Sequence, residues 1–287
     1  MTIKRIIKGL LPYALVRLYQ RWRYSPKSEP NIWEGIYEHF SQVPVSGPGH
    51  FGEEWVHNTL VWTRIVKNAF DSDQPVPAAV ASEHNALALL AAILCQQKGS
   101  ARILDVGGGM GMGYLVVANA QEQDATIDYR VFDTPEVCAA ARELFAGDRR
   151  ITFQSELPEE IDGLDVINVS GALQYFDDYR GLLKRLASYG AAYVLFGFFQ
   201  AGAQPAFATA QMNIRGSAIP AWFFNRDEII ALMRDFGYEV QFDARSEWPY
   251  KQANFPESHR MRNVRTMLFR KASVRTPSAA GQNSARE

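Results

Sequence analysis

Five glycines fall within seven residues, at positions 107, 108, 109, 111 and 113, directly after the apolar run Arg102-Ile-Leu-Asp-Val106. Glycine is needed where the backbone must turn with positive φ, or lie against a ligand with no Cβ in the way. A strand that stops in such a loop and restarts as a helix, here Tyr114 to Ala120, makes a nucleotide cradle beside a helix N-terminus. Spacing separates the kinds of cofactor such a cradle can hold. A dinucleotide loop requires G-x-G-x-x-G. Counting from Gly107, Gly109 and Gly111, the sixth position is Met112, Tyr114 and Val116, so that fingerprint fails in every register. What stands here is acidic-x-G-x-G-x-G, as Asp105, Gly107, Gly109 and Gly111. A second carboxylate, Asp133, closes the next apolar run. A carboxylate there suits a ribose diol, because it accepts two hydroxyl protons at once.

The elements that must position these groups alternate. A helix carries Leu87, Leu90, Ala91 and Leu94 as a buried stripe. Strands are predicted over 102–106, 127–132, 151–154, 164–169 and 192–196, with helices between them. Thr134 reads as an N-cap followed by Pro135 at the first helical position. A later helix opens with Asn225 as cap, Glu228 three residues on, and Phe224 stapling against Ile229. The last two strands are placed at 238–242 and 264–269. Strands alternating with helices predict a parallel sheet covered on both faces. Residues 31–70 read as aromatic-rich and irregular, and 198–224 as a long connection whose only charge is Arg215.

Composition bounds the rest. Across 287 residues, 47% apolar and 21% charged content supports a real core, and a net charge of −1 offers no general case for nucleic acid. Cys95 and Cys138 sit in apolar helical runs and read as buried thiols of a reducing compartment. The five histidines are scattered, so no metal site is expected. With no membrane-spanning stretch apparent, a cytoplasmic protein is expected. Residues 1–24 stand apart, with six cations, no acid, and Ile3, Ile7, Leu11, Leu15, Leu18 and Trp22 at helical spacing around Pro12. Two readings fit: a segment lying peripherally on an anionic membrane surface, or a helix docking on the rest of the chain. The domain reading is therefore 1–24 basic segment, 31–80 helical and aromatic cap, 81–271 cofactor-binding domain, and 272–287 disordered tail, with a turn-rich linker at 25–30.

The acidic-x-G-x-G-x-G loop resembles motif I of the class I S-adenosylmethionine-dependent methyltransferases, and the resemblance covers roughly 85–270. It implies a Rossmann-like α/β fold with a seven-stranded, mostly parallel sheet and S-adenosyl-L-methionine as cofactor. In that frame Asp105 anchors the cofactor's ammonium directly or through water, and Asp133, within Phe132-Asp-Thr-Pro-Glu136, holds the ribose. Glu156 falls where the adenine amine is contacted, and Ser170 where the post-strand-four segment flanks the transferring methyl. Shorter words resemble a bacterial group of methyltransferases associated with O-antigen and other surface-polysaccharide biosynthesis. These words are the aromatic N-terminal region, the Ser170-Gly-Ala-Leu-Gln-Tyr175 segment and the Phe223-Phe-Asn225 helix start. That likeness implies O-methylation of a sugar or glycan precursor. A small aromatic acceptor, or a silent binding protein of the same fold, is the alternative.

One departure bears on mechanism. Plant-type O-methyltransferases carry a histidine base in the word Leu-His-Asp-Trp, whereas this chain has Leu173-Gln-Tyr-Phe176. Gln174 cannot accept a proton at neutral pH. Proximity and in-line orientation already supply roughly 7–11 kcal/mol, while a base adds only about 10²–10⁴-fold. Replacement bases, if used, come from His50, His57 or His259, each in a loop or cap region. Gln174, Tyr175 and Gln211 are expected to face the acceptor. A roof is expected from Trp33, Phe51, Trp55 and Trp62, from Phe199, Gln200 and Trp222, and from Trp248, Tyr250, Lys251, Arg260 and Arg262.

Overall fold

The computed structural model describes residues 31–121, 125–247 and 252–272. The basic segment 1–24, the tail from 273, and Trp248, Tyr250 and Lys251 lie outside the described residues. A seven-stranded sheet forms the centre. Its strands are β2 (Ser100–Val106), β3 (Thr126–Phe132), β4 (Ile151–Gln154), β5 (Val166–Ser170), β6 (Tyr193–Phe199), β10 (Tyr238–Glu247) and β11 (Asn263–Lys271). The order across the sheet is β10-β11-β6-β5-β2-β3-β4. β2 pairs in parallel with β3 and β5, and β11 enters antiparallel between β6 and β10. The strand order reverses between β2 and β5, so their carboxyl ends form the switch point where an open α/β sheet binds its ligand.

Side-chain alternation splits the core into two layers. Ala101 and Ile103 face one layer, with helices α1 (Glu53–Asp71), α2 (Ala78–Lys98), α3 (Met112–Asn119) and α4 (Pro135–Leu144). Leu104 and Val106 face the other, with α5 (Tyr179–Ser188) and α6 (Arg226–Asp235). The predicted caps form. Thr134 Oγ1 accepts from the Val137 N–H, and Asn225 Oδ1 accepts from the N–H groups of Asp227 and Glu228. Both cysteines are free and buried. By length and composition alone α2 is apolar enough to cross a membrane. Its predicted stripe, Leu87, Leu90, Ala91 and Leu94, is buried against the sheet layer and α3.

Two expectations are corrected. The region 31–70 is ordered rather than irregular, containing β1 (Trp33–Tyr37) and most of the 19-residue α1, so the cap holds a strand as well as a helix. The connection 198–224 holds β7 (Ala201–Gly202), β8 (Phe207–Gln211) and β9 (Ile219–Asn225). These strands and β1 make a second sheet, ordered β1-β8-β9-β7. β8 reads Phe-Ala-Thr-Ala-Gln and is buried at every position. Its alternation of large and small residues is hidden in sequence because both faces are covered. Ala208 and Ala210 pack with Val43 and Ala218 on one side, while Phe207 joins Trp33, Phe223 and Phe255 on the other.

Candidate active site and cofactor cleft

The glycine loop joins β2 to α3 at the switch point. Gly107 has φ 68°, and a Cβ built there would lie 2.3 Å from Cβ of Ala172. Only glycine lets the loop approach the turn after β5 that closely. Gly109 has φ 58° and faces open space, with nothing within 4 Å of where its Cβ would sit. The cradle therefore presses on the protein at one glycine and opens at the other. Asp133, at the end of β3, spans this opening: Oδ2 accepts from the Gly109 N–H at 2.9 Å and Oδ1 from the Thr134 N–H at 2.7 Å. It thus serves the loop and the start of α4 together. A carboxylate offers about four lone-pair sites, so two remain for a diol. Burial raises its pKa, opposed by those two N–H bonds.

Asp105 sits deeper. It is 1% exposed, and its oxygens accept from Tyr129 Oη at 2.6 Å and Asn168 Nδ2 at 2.6 Å. Oδ2 also lies against Gly108 and Gly113, where a Cβ would fall 2.4 and 3.2 Å from it. Asp105 is thus placed beneath the loop, held by β3 and β5. Burial pushes its pKa up and its two hydrogen bonds pull it down. Ser170 Oγ donates to Asn168 Oδ1 at 3.3 Å, which extends the chain of contacts to the end of β5. Tyr129 and Asn168 are site residues missed in sequence. A signal existed for Asn168, an amide inside the apolar run Val166-Ile-Asn-Val169, because a buried amide needs partners. Glu156 is exposed just past β4, on the strand that flanks β3.

The turn after β5 carries the residues expected to face the acceptor. Gln174 is 2% exposed and donates from Nε2 to the Gly171 carbonyl, leaving Oε1 without a partner. Tyr175 Oη donates to Gln211 Oε1 at 3.0 Å, and Gln211 Nε2 donates to Asn213 Oδ1 at 2.7 Å. Tyr175 and Gln211, 36 residues apart, are therefore brought together, with the second sheet as a roof over the turn. The three candidate histidines separate. His57 is exposed on α1. His259 contacts Ser258 Oγ and stands edge-on to Phe207 at 5.2 Å. His50 alone reaches the turn, with its ring centroid 4.7 Å from that of Tyr175 and 5.0 Å from that of Trp55.

The donor set fits S-adenosylmethionine: an open glycine cradle, a carboxylate with spare acceptor sites at the second strand, and an acceptor-side turn abutting Gly107. Among solved structures, the chain resembles magnesium protoporphyrin IX methyltransferase from Synechocystis, crystallised with S-adenosylhomocysteine. That match has 12% identity, covers 75% of this chain and 100% of that one, and has a TM-score of 0.45. It also resembles the 1,6-didemethyltoxoflavin N1-methyltransferase of Burkholderia thailandensis, at 18% identity over 80% of this chain and 93% of that one, TM-score 0.45. A third likeness is to an S-adenosylmethionine-dependent methyltransferase from Mesorhizobium loti, at 17% identity over 60% and 92%, TM-score 0.42. No curated protein sequence matches the chain. The family described as "Methyltransferase domain" matches residues 78–241, more than half of the chain and the whole run from α2 into β10. With the glycine loop, the sheet order and that match in agreement, the chain belongs to the methyltransferase-domain family.

Proposed function

We propose that the protein is an S-adenosylmethionine-dependent O-methyltransferase whose acceptor is a sugar or a small glycan precursor. The observation that carries this reading is the polar line Tyr175–Gln211–Asn213 at the end of β8 in the second sheet. Aromatic faces beside neutral amides bind hydroxyl-rich ligands by stacking and by paired donors and acceptors. The bound cofactor supplies a methyl group on a positively charged sulfur. The protein's share is placement. Asp133 orients the ribose, the glycine loop accommodates the amino-acid end, and Asp105 fixes the loop through Tyr129 and Asn168. The turn from Gly171 to Tyr175 and the roof above it hold the acceptor in line and exclude water. In-line placement alone is worth roughly 7–11 kcal/mol.

Labelled S-adenosylmethionine offered with UDP-N-acetylglucosamine, glucose 1-phosphate and catechol tests the reading. Label in the sugars is the expected result. Transfer to catechol alone would move the acceptor to the small aromatic class. That second reading is favoured by the apolar partners of the turn, Trp33, Phe207 and Phe223, which form a small core against Tyr175. Binding of S-adenosylhomocysteine without transfer to any acceptor would make the protein a silent relative.

A further inference from the structure

His50 is held where few histidines are found. Its three-residue turn, Gly49–Phe51, is fixed to the segment leading into β9 by the Gly49 N–H donating to Ser217 Oγ at 3.1 Å. One residue before Gly47 and next to Ser217, Ser46 and Ala218 exchange backbone hydrogen bonds. The ring then lies edge-on between Trp55 of α1 and Tyr175 of the turn after β5. Both ring nitrogens are buried, and neither has a hydrogen-bond partner. A buried polar atom left unpaired costs about 1–3 kcal/mol, so two on one imidazole are a feature that needs a use. The turn bearing Tyr175 opens at Gly171, with nothing within 4 Å of where a Cβ would sit.

Resting on the O-methyltransferase reading, we propose that His50 is the proton acceptor of the transfer. The acceptor is then a hydroxyl that is uncharged at neutral pH. As the hydroxyl oxygen forms its bond to the methyl carbon, the carbon–sulfur bond breaks and its electron pair stays on sulfur. The hydroxyl proton passes to a ring nitrogen of His50. The imidazolium so formed returns its proton to solvent after the product leaves. Burial keeps the imidazole neutral, because desolvation lowers its pKa below the ordinary value of 6.5. The groups facing it are the rings of Trp55 and Tyr175. The nearest acids along the chain, Glu53 and Glu54, are exposed at the start of α1. This position replaces, from a different part of the chain, the base that Gln174 cannot provide.

Two measurements on the full-length protein test it. The first needs no acceptor. Imidazole NMR titrations, with the His50 signal assigned by its loss in His50→Gln, are compared in the S-adenosylmethionine and S-adenosylhomocysteine complexes. The sulfonium charge disfavours a nearby imidazolium, so the His50 pKa should be at least about half a unit lower with S-adenosylmethionine. Equal values place His50 away from the transferring methyl and overturn the proposal. The second uses whichever of the three acceptors above is turned over. His50→Gln should lower kcat by about 10²–10⁴-fold, keep S-adenosylhomocysteine affinity within twofold, and remove the fall of kcat/KM at acid pH. A variant with kcat within threefold of wild type, or with the same acid limb, overturns it. Should no acceptor be turned over, the function proposed above fails while the titration still decides His50.

Discussion

The cofactor half and the acceptor half of this site are built from different kinds of information. In the cofactor half, each contact joins neighbours in a parallel sheet: Asp133 to Gly109 across 24 residues, Tyr129 to Asp105 across 24, and Asn168 to Asp105 across 63. The residues stand at strand ends or within strands that sequence periodicity already reveals. The acceptor half is stitched from segments far apart. Gly49 bonds Ser217 across 168 residues, Thr209 bonds the Glu34 carbonyl across 175, and Asn254 bonds the Trp33 carbonyl across 221. A local architecture builds the cofactor cleft, and a long-range one builds the region proposed to take the acceptor. The cofactor half should therefore survive damage to the roof, while the reverse need not hold.

The largest expected effect tests that asymmetry directly. Trp33 is 2% exposed and meets Phe223 edge-on at 5.0 Å. Trp33→Ala should destabilise the second sheet by about 3–5 kcal/mol, seen as an early thermal transition. Affinity for S-adenosylhomocysteine should stay within threefold below that transition. A parallel loss of affinity would break the comparison, because the two halves would then be one cooperative unit.

Asp133→Ala comes next. Removing the carboxylate should weaken cofactor binding by about 1.5–3 kcal/mol, the range for a hydrogen bond to a charged group. A 2′,3′-dideoxy cofactor analogue should then lose little further on the variant. An equal response by variant and wild type would reduce Asp133 to its contacts with Gly109 and Thr134. Gly109→Val is smaller and more local. It forces a branched side chain into a φ of 58° beside open space, and S-adenosylhomocysteine affinity should drop at least tenfold, about 1.4 kcal/mol. Unchanged affinity in a folded variant would remove the loop from the cofactor site.

The smallest effect is a pH dependence of stability at the foot of the cofactor half. Asp148 accepts from Tyr114 Oη and from the Arg150 guanidinium, and its pKa falls from 3.8 to about 2. Arg150, Tyr114 and the Arg150 backbone N–H outweigh the opposing effect of burial. Its stabilisation is therefore complete above the unfolded value and is lost as pH falls from about 4 to about 2. Allowing for solvent screening, this is about 1 kcal/mol. Denaturation midpoints should show the loss in the wild type and a flatter acid limb in Asp148→Asn. If both fall together, other carboxylates govern acid unfolding.

The legible part of the molecule follows the same division. Helices with a single buried face, such as α2 with Leu87, Leu90, Ala91 and Leu94, announce themselves by periodicity. β8 does not, because it is buried on both faces and its alanines carry no pattern. β1 is equally quiet, since Gly35 and a register shift between Glu34 and Tyr37 interrupt its alternation.

By itself, the sequence determined the sheet of alternating strands and helices, the glycine cradle, and the carboxylate at the end of the second strand. All three are set by backbone conformation and side-chain period, which act within a few residues. Only the tertiary structure decided that Asp105 lies beneath the loop, tied to Tyr129 and Asn168. Only it chose His50 over His57 and His259 as the histidine beside Tyr175. Those outcomes depend on which distant surfaces meet and on which polar atoms the meeting leaves buried. No spacing along the chain encodes such a meeting.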